Sequence, residues 1–247
     1  SVRIPYYFNL APDRDLLVAL NYMSSRRFIY EGMYRQLIAP KLSSEHEDSI
    51  WSLEAKYLPE DKVTSLKRWL VNFSNEMDVN DKTHLSAQYY RVSDSEYFKE
   101  IDRTNIDQKT LKSFLKLIYE DEDLSAGILT EDEQVVNAGT PGYTRALEGS
   151  VSKTLNADTK MPISLSLVST KFAHDTLTKE SGLRTHGGLG TSRVLNIDYP
   201  KITPKANVSI TNYSLKNSPN INRTVFGSGL DIDFTINNPS SIFGYKV

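Results

Sequence analysis

Residues Ser49 to Phe98 alternate in polarity with a period of two, and this alternation constrains the fold more than any other feature of the chain. Trp51, Leu53, Ala55 and Tyr57 fall on one parity, and Ser52, Glu54 and Lys56 on the other. A second run sets Trp69, Val71 and Phe73 against Arg68, Asn72 and Ser74. An extended chain turns successive side chains to opposite faces, so each run makes a strand with one apolar and one polar surface. The apolar surface begins and ends on aromatics, and the polar one carries full charges. That pairing suits lipid on one side and water on the other. The expected fold is therefore all-β, an antiparallel transmembrane β-barrel wall with Trp51, Tyr57 and Trp69 in its aromatic girdle.

The same pattern extends in both directions. Arg3–Leu10 reads as a first strand interrupted at Pro5, which lacks a ladder N–H and so belongs at an edge or a strand end. Arg14–Met23 and Arg27–Ile38 follow, and a polar loop runs from Pro40 to Asp48. Ser93–Lys109 reads as a long polar connection. Thr110–Tyr119 fits both a helical stripe (Leu111, Phe114, Leu115, Ile118) and strand parity, and taken alone the helix is preferred. Leu124–Thr130, Tyr143–Leu155, Pro162–Ala173, Leu183–Tyr199, Ala206–Leu215 and Val225–Asn237 complete about thirteen strands, with turn signals at 139–142, 187–190, 217–220 and 237–240. Single-chain bacterial barrels close on even strand numbers, and an open edge in lipid leaves unpaired backbone groups. Thirteen strands thus predict an incomplete barrel, with residues 1–247 forming one partial barrel domain.

Composition removes other classes. No run of about 18 apolar residues exists, so no transmembrane helix is expected. A net charge of −2 offers no basic field for nucleic acid. The absence of Cys removes disulfide scaffolds, thiolate metal sites and Cys nucleophiles. The opening SVRIPYYF carries no signal-peptide pattern, so a secreted barrel is expected here as an excerpt or a processed chain.

No enzyme emerges from the residues. His46, His84, His174 and His186 stand in no metal-binding spacing, and the acidic clusters 120–123 and 131–133 lack the order of a calcium loop and read as solvated loop charge. Gly187–Gly190 lacks the Lys of a phosphate loop and reads as a bend. No cofactor is expected. Arg26, Arg27 and Arg68 suit either anionic lipid head groups or plain surface charge. A porin-like passive channel and a soluble β-sandwich binding module remain as alternative readings.

Several motifs in order carry a family resemblance. Pro5-Tyr6-Tyr7-Phe8-Asn9-Leu10-Ala11-Pro12-Asp13, Tyr57-Leu58-Pro59-Glu60-Asp61-Lys62, Arg68-Trp69-Leu70 and Tyr90-Arg91-Val92-Ser93-Asp94-Ser95-Glu96-Tyr97-Phe98 resemble the LptD family of outer-membrane lipopolysaccharide-assembly proteins. The resemblance is densest over residues 5–98 and thins afterwards. It implies a non-enzymatic translocon in the outer membrane of a Gram-negative bacterium. In that family a plug lipoprotein of the LptE type sits inside the barrel, and a periplasmic jellyroll, absent here, joins the lipopolysaccharide bridge. Lipopolysaccharide leaves through a lateral gate at the first strand, here Pro5, Tyr6, Tyr7 and Asn9. The resemblance also implies a strand at Thr110–Tyr119. The family's second gate proline is Leu20 in this sequence, which leaves the seam one missing ladder bond instead of two.

Overall fold

The structure is a computed structural model that describes residues 1–39, 49–103, 105–176, 178–195 and 201–233. Its described strands are β1 (Val2–Ala11), β2 (Arg14–Met23), β3 (Arg27–Ala39), β4 (Ser49–Leu58), β5 (Arg68–Asn80), β6 (Thr83–Val92) and β7 (Thr110–Glu120). These are followed by β8 (Leu124–Val135), β9 (Tyr143–Leu155), β10 (Ile163–His174), β11 (Gly182–Ser192), β12 (Lys201–Leu215) and β13 (Ile221–Asp233). All thirteen form one sheet in sequence order, each antiparallel to the next. β1 pairs with β2 and β13 with β12, and the sheet is not closed on itself. The expected wall is present, and Thr110–Glu120 is a strand. The expected loop 40–48, Tyr199 and the turn at 237–240 lie outside the described residues.

Register converts the alternation into two surfaces, because residues directly opposite in an antiparallel pair share a face. Starting at Tyr6, one apolar row runs through Val18, Gly32, Ala55, Val71 and Arg91, its single charge. A parallel row runs through Phe8, Leu16, Tyr34, Leu53, Phe73 and Tyr89. The same face continues through Leu117, Ile128, Val151, Leu167, Leu189 and Val208 to Phe226. Phe226 is 81% exposed, and Leu167, Leu189, Ile210 and Leu230 are exposed with it. A sheet presenting this much continuous apolar surface is stable only against lipid or another apolar body.

Several sequence expectations are corrected. Gly187–Gly190 is the middle of β11, not a bend. A side chain at Gly188 or Gly190 would start 2.6 Å from Ser166 Oγ or 2.7 Å from Ser164 Oγ, so these glycines let the β10 serines lean across the polar face. Glu131–Glu133 is strand, not loop charge: β8 continues to Val135, and Glu131 is held by Arg145 at 2.6 and 2.9 Å. β12 begins at Lys201 and β13 at Ile221, earlier than the sequence suggested. Pro204 is accommodated within β12 opposite Leu230, and its carbonyl accepts the Arg193 N–H at 3.1 Å.

Two glycine environments give a contrast that unfolding can read. A Cβ on Gly139 would sit 2.3 Å from the Lys109 carbonyl oxygen, whereas Gly32 and Gly149 have no atom within 4 Å. Gly139→Ala should therefore destabilise the complete protein by about 1–3 kcal/mol through forced backbone displacement. Gly149→Ala should change it by less than about 0.5 kcal/mol. Urea unfolding followed by Trp fluorescence distinguishes the two.

Candidate functional site

The polar face is not uniform. At the end of the wall where β2 meets β3, β4 meets β5 and β6 meets β7, it carries a compact core of its own. Ser93–Lys109, expected as a polar loop, supplies that core. Tyr97, Phe98 and Ile101 are buried among Ile29, Leu58, Leu70, Val92, Leu111 and Val136. The reason is local: after Asp94 the chain makes a single helical turn, Phe98–Asp102, which sets Tyr97, Phe98 and Ile101 on one side. Arg103 closes the turn in the left-handed region (φ 56°), its N–H bonding the Phe98 carbonyl at 2.7 Å. Tyr97 and Phe98 meet edge to face at 5.6 Å.

Charged groups ring this core. Arg68, the first residue of β5, is almost fully buried and forks onto Asp94, Nε at 2.9 Å and Nη2 at 2.5 Å. Its Nη1 also bonds Glu100 and lies 3.4 Å from Asp61. Arg26, in the β2–β3 turn, bonds Asp61 and lies 3.2 Å from Glu100. Lys56 bridges Glu54 and Asp102 at 3.2 and 3.0 Å. Two arginines and three carboxylates thus join the β2–β3, β4–β5 and β6–β7 connections into one rim.

Asp61 lies at the centre with no exposed surface. Burial pushes its carboxyl up, but the Val63 N–H, Arg26 and the Thr64 hydroxyl outweigh burial and hold it below the ordinary carboxylate range. Asp94 behaves alike: burial raises it, and the Arg68 fork, the Ser93 hydroxyl and the Glu96 N–H bring it down further. Asn137 pins the far side. It takes a left-handed conformation (φ 49°) after β8, receives no more than 1% solvent exposure, and donates to the Gln108 carbonyl at 2.8 Å.

Pro5, Tyr6, Tyr7 and Asn9 all lie on β1, whose residues are exposed except at Ala11. Pro5 stands opposite Ala19, Tyr7 opposite Leu17 and Asn9 opposite Asp15. Tyr7 donates to Asp15 at 3.2 Å, and Asp15 is gripped by Arg35 at 2.7 and 3.0 Å. Tyr6 lies on the apolar face and meets Phe8 at 4.5 Å. Leu20, opposite Ile4, is also on that face. Trp51 lies near the opposite end of the apolar face from Tyr57 and Trp69, which are directly paired. Arg27 is exposed and bonds Glu60. Arg68 differs from the expected head-group contact, since its guanidinium is enclosed by the protein's own carboxylates. Arg26 is largely committed in the same way.

The residues missed by sequence reasoning are Asp61, Asp94, Tyr97, Phe98, Ile101 and Asn137. The one available signal was the i, i+1, i+4 spacing of Tyr97, Phe98 and Ile101, which one helical face can share, inside an otherwise polar stretch. The motifs that carry the family resemblance converge here: Leu58 and Asp61, Arg68, and Asp94 with Tyr97 and Phe98 are in mutual contact through this rim.

Comparison with known proteins decides the family. The model of LptD, described as LPS transport system D, matches residues 67–242. This chain belongs to the LptD family. The match extends well past residue 98, where the resemblance by motif thinned. Among curated relatives, the LPS-assembly protein LptD of Hahella chejuensis is 27% identical over 265 aligned residues, covering 99% of this chain and 33% of the relative. That of Idiomarina loihiensis is 26% identical over 190, covering 75% and 24%. That of Cupriavidus pinatubonensis is 28% identical over 148, covering 59% and 17%. The chain therefore spans from about a sixth to a third of the length of these LptD relatives. Membership places the wall in the outer membrane of a Gram-negative bacterium, in a family of transport and assembly proteins that are not enzymes.

Two predictions follow from the rim. Phe98→Ala should cost about 3–5 kcal/mol as a buried aromatic deletion, while Lys99→Ala on the exposed side of the same turn should stay within about 0.5 kcal/mol, both measured by urea unfolding. The depressed carboxyls of Asp61 and Asp94 bind protons more weakly when folded, so they stabilise the rim above the unfolded carboxylate value of about 4. That contribution is lost as pH falls further, through their folded values. Hydrogen exchange at 97–103, corrected for intrinsic rate, should be unchanged between about pH 7 and 5 and accelerate below about pH 4.

Proposed function

We propose that this wall is the first part of the barrel of an outer-membrane translocon that inserts lipopolysaccharide into the outer leaflet, with β1 bordering a lateral gate. The observation that carries the reading is the state of β1 in a chain of this family. It is the edge strand of the described sheet, almost wholly exposed, and Pro5 leaves it one N–H donor short. A net hydrogen bond is worth roughly 0.5–1.5 kcal/mol, so the absent donor lowers the cost of displacing β1 by about that much. Leu20 keeps its N–H, and the seam is correspondingly firmer than one weakened by two prolines.

In this reading Tyr6 faces lipid, while Tyr7 and Asn9 face the passage. Trp51 on one side, and Tyr57 with Trp69 on the other, mark the two interfaces of the apolar band, where amphipathic rings settle. Exposed Arg27 remains the head-group candidate, whereas Arg26 and Arg68 serve the rim. The partners are lipopolysaccharide, membrane lipids, a plug lipoprotein of the LptE type against the polar face, and a periplasmic lipopolysaccharide bridge reached through a jellyroll. The relatives' name, LPS-assembly protein, supports the substrate.

A photo-crosslinking amino acid at Tyr7 of the complete protein tests the gate. Capture of lipopolysaccharide or of the closing strand is the expected outcome, and the same probe at Tyr89 on the apolar face is the control. Capture of neither at Tyr7 would remove β1 from the gate.

A further inference from the structure

The ladder between β6 and β7 stops short. Paired residues run from Thr83–Tyr119 to Gln88–Phe114 and no further, although β6 continues to Val92 and β7 begins at Thr110. Beyond Gln88 the backbone groups of β6 are met by side chains. The Tyr90 N–H donates to Ser113 Oγ at 3.1 Å. The Val92 N–H donates to Gln134 Oε1 at 2.9 Å, and Gln134 Nε2 returns a bond to the Val92 carbonyl at 2.8 Å. Gln134 reaches there from β8, past β7. The two strands are splayed at this end, and direct strand pairing has given way to side-chain bridges.

The buried turn stands at that splay. Phe98 packs with Tyr90 and Val92 of β6, and belongs to the same core as Leu111 of β7 and Val136 after β8. Its segment is tied to the β5 side by Arg68 through Asp94 and Glu100, and to the β8 side by the Asn137 N–H, which bonds the Ser95 carbonyl at 2.8 Å. An interrupted ladder in a membrane wall leaves backbone polar groups that must be satisfied internally. Here the satisfaction comes from Ser113 and Gln134, and Gln134 stands opposite Leu111 of the core that contains Phe98.

We propose that Asp94–Arg103 is a latch closing a second seam in the wall, between β6 and β7. Arg68, Glu100 and Phe98 are its positioning residues. The latch holds this seam shut from the polar face; the ladder between β8 and β9, which likewise stops short at Leu129–Glu148, is bridged by the side chains of Thr130 and Glu131 instead. The consequence for transport rests on the gate reading. The latch itself does not.

Hydrogen exchange on the complete protein in its lipid-embedded state, compared with Phe98→Ala and Glu100→Gln, tests it. Tyr89–Val92 and Leu111–Phe114 should exchange at least about tenfold faster in Phe98→Ala and by a smaller factor in Glu100→Gln, with Thr83–Gln88 unchanged. If Phe98→Ala fails to assemble, Glu100→Gln and the unmutated protein taken below about pH 4, where the stabilisation from Asp61 and Asp94 falls away, read the same peptides. Equal acceleration along all of β6 and β7, or none, overturns the latch. A photo-crosslinker at Tyr89 should capture lipopolysaccharide only when the latch is broken. Capture at Tyr7 with no change at Tyr89 when the latch is broken refutes a role of the latch in transport and leaves the gate standing. Loss of capture at Tyr7 with localised acceleration at Tyr89–Val92 refutes the gate and leaves the latch standing.

Discussion

The rim depends on a buried cation. Arg68 carries a full charge into a site with almost no solvent, a placement that costs several kcal/mol unless the charge is fully paired. A guanidinium suits the position because its planar fork meets Asp94 with two parallel bonds and leaves a third nitrogen for Glu100 and Asp61. A lysine has the charge without the fork. The three carboxylates come from two connections, so satisfying one arginine draws the β4–β5 and β6–β7 segments together. Arg26 then adds the β2–β3 turn to the same acids. Removing one member would strand the others in a dry site, which makes the group cooperative in a way that exposed pairs such as Arg27–Glu60 are not.

This explains why a wall with two solvents needs a local core. Apolar side chains on one face gain nothing from packing against each other when lipid is equally apolar, so the sheet's cohesion comes from its ladders. Where a ladder lapses, something else must supply cohesion. Between β6 and β7 it is supplied by Tyr97, Phe98 and Ile101 on the polar side, where water makes burial favourable, and by Ser113 and Gln134 acting as backbone surrogates. The hydrophobic effect works on the wet face of the wall and hydrogen bonding works within its plane.

β1 and the rim are opposites. β1 is exposed, lacks a donor at Pro5, and is tied across by polar contacts of exposed groups, Arg3 to Glu31 and Tyr7 to Asp15. Such contacts are worth little each and are screened by salt. The rim is buried, charge-paired and packed.

The alternation of polarity by itself determined most of the strands and which of their residues share the apolar face, because side-chain direction in a strand follows parity and nothing else. It also marked Pro5 as an edge residue. Thr110–Glu120 lay beyond that power, since Leu111 and Leu115 satisfy both periods and only pairing with β6 and β8 selects one. The glycines of β11 misled for a related reason: a turn signal and a close side-chain approach ask for the same residue, and the neighbouring Ser164 and Ser166 that distinguish them are distant in sequence. Arg68 was legible as a charge and not as a buried one. Its partners Asp61, Asp94 and Glu100 lie 7, 26 and 32 residues away, on two connections. Local pattern fixes what each strand presents, but a rim made of loop residues exists only once the sheet has set those loops side by side. That was decided by the tertiary structure alone.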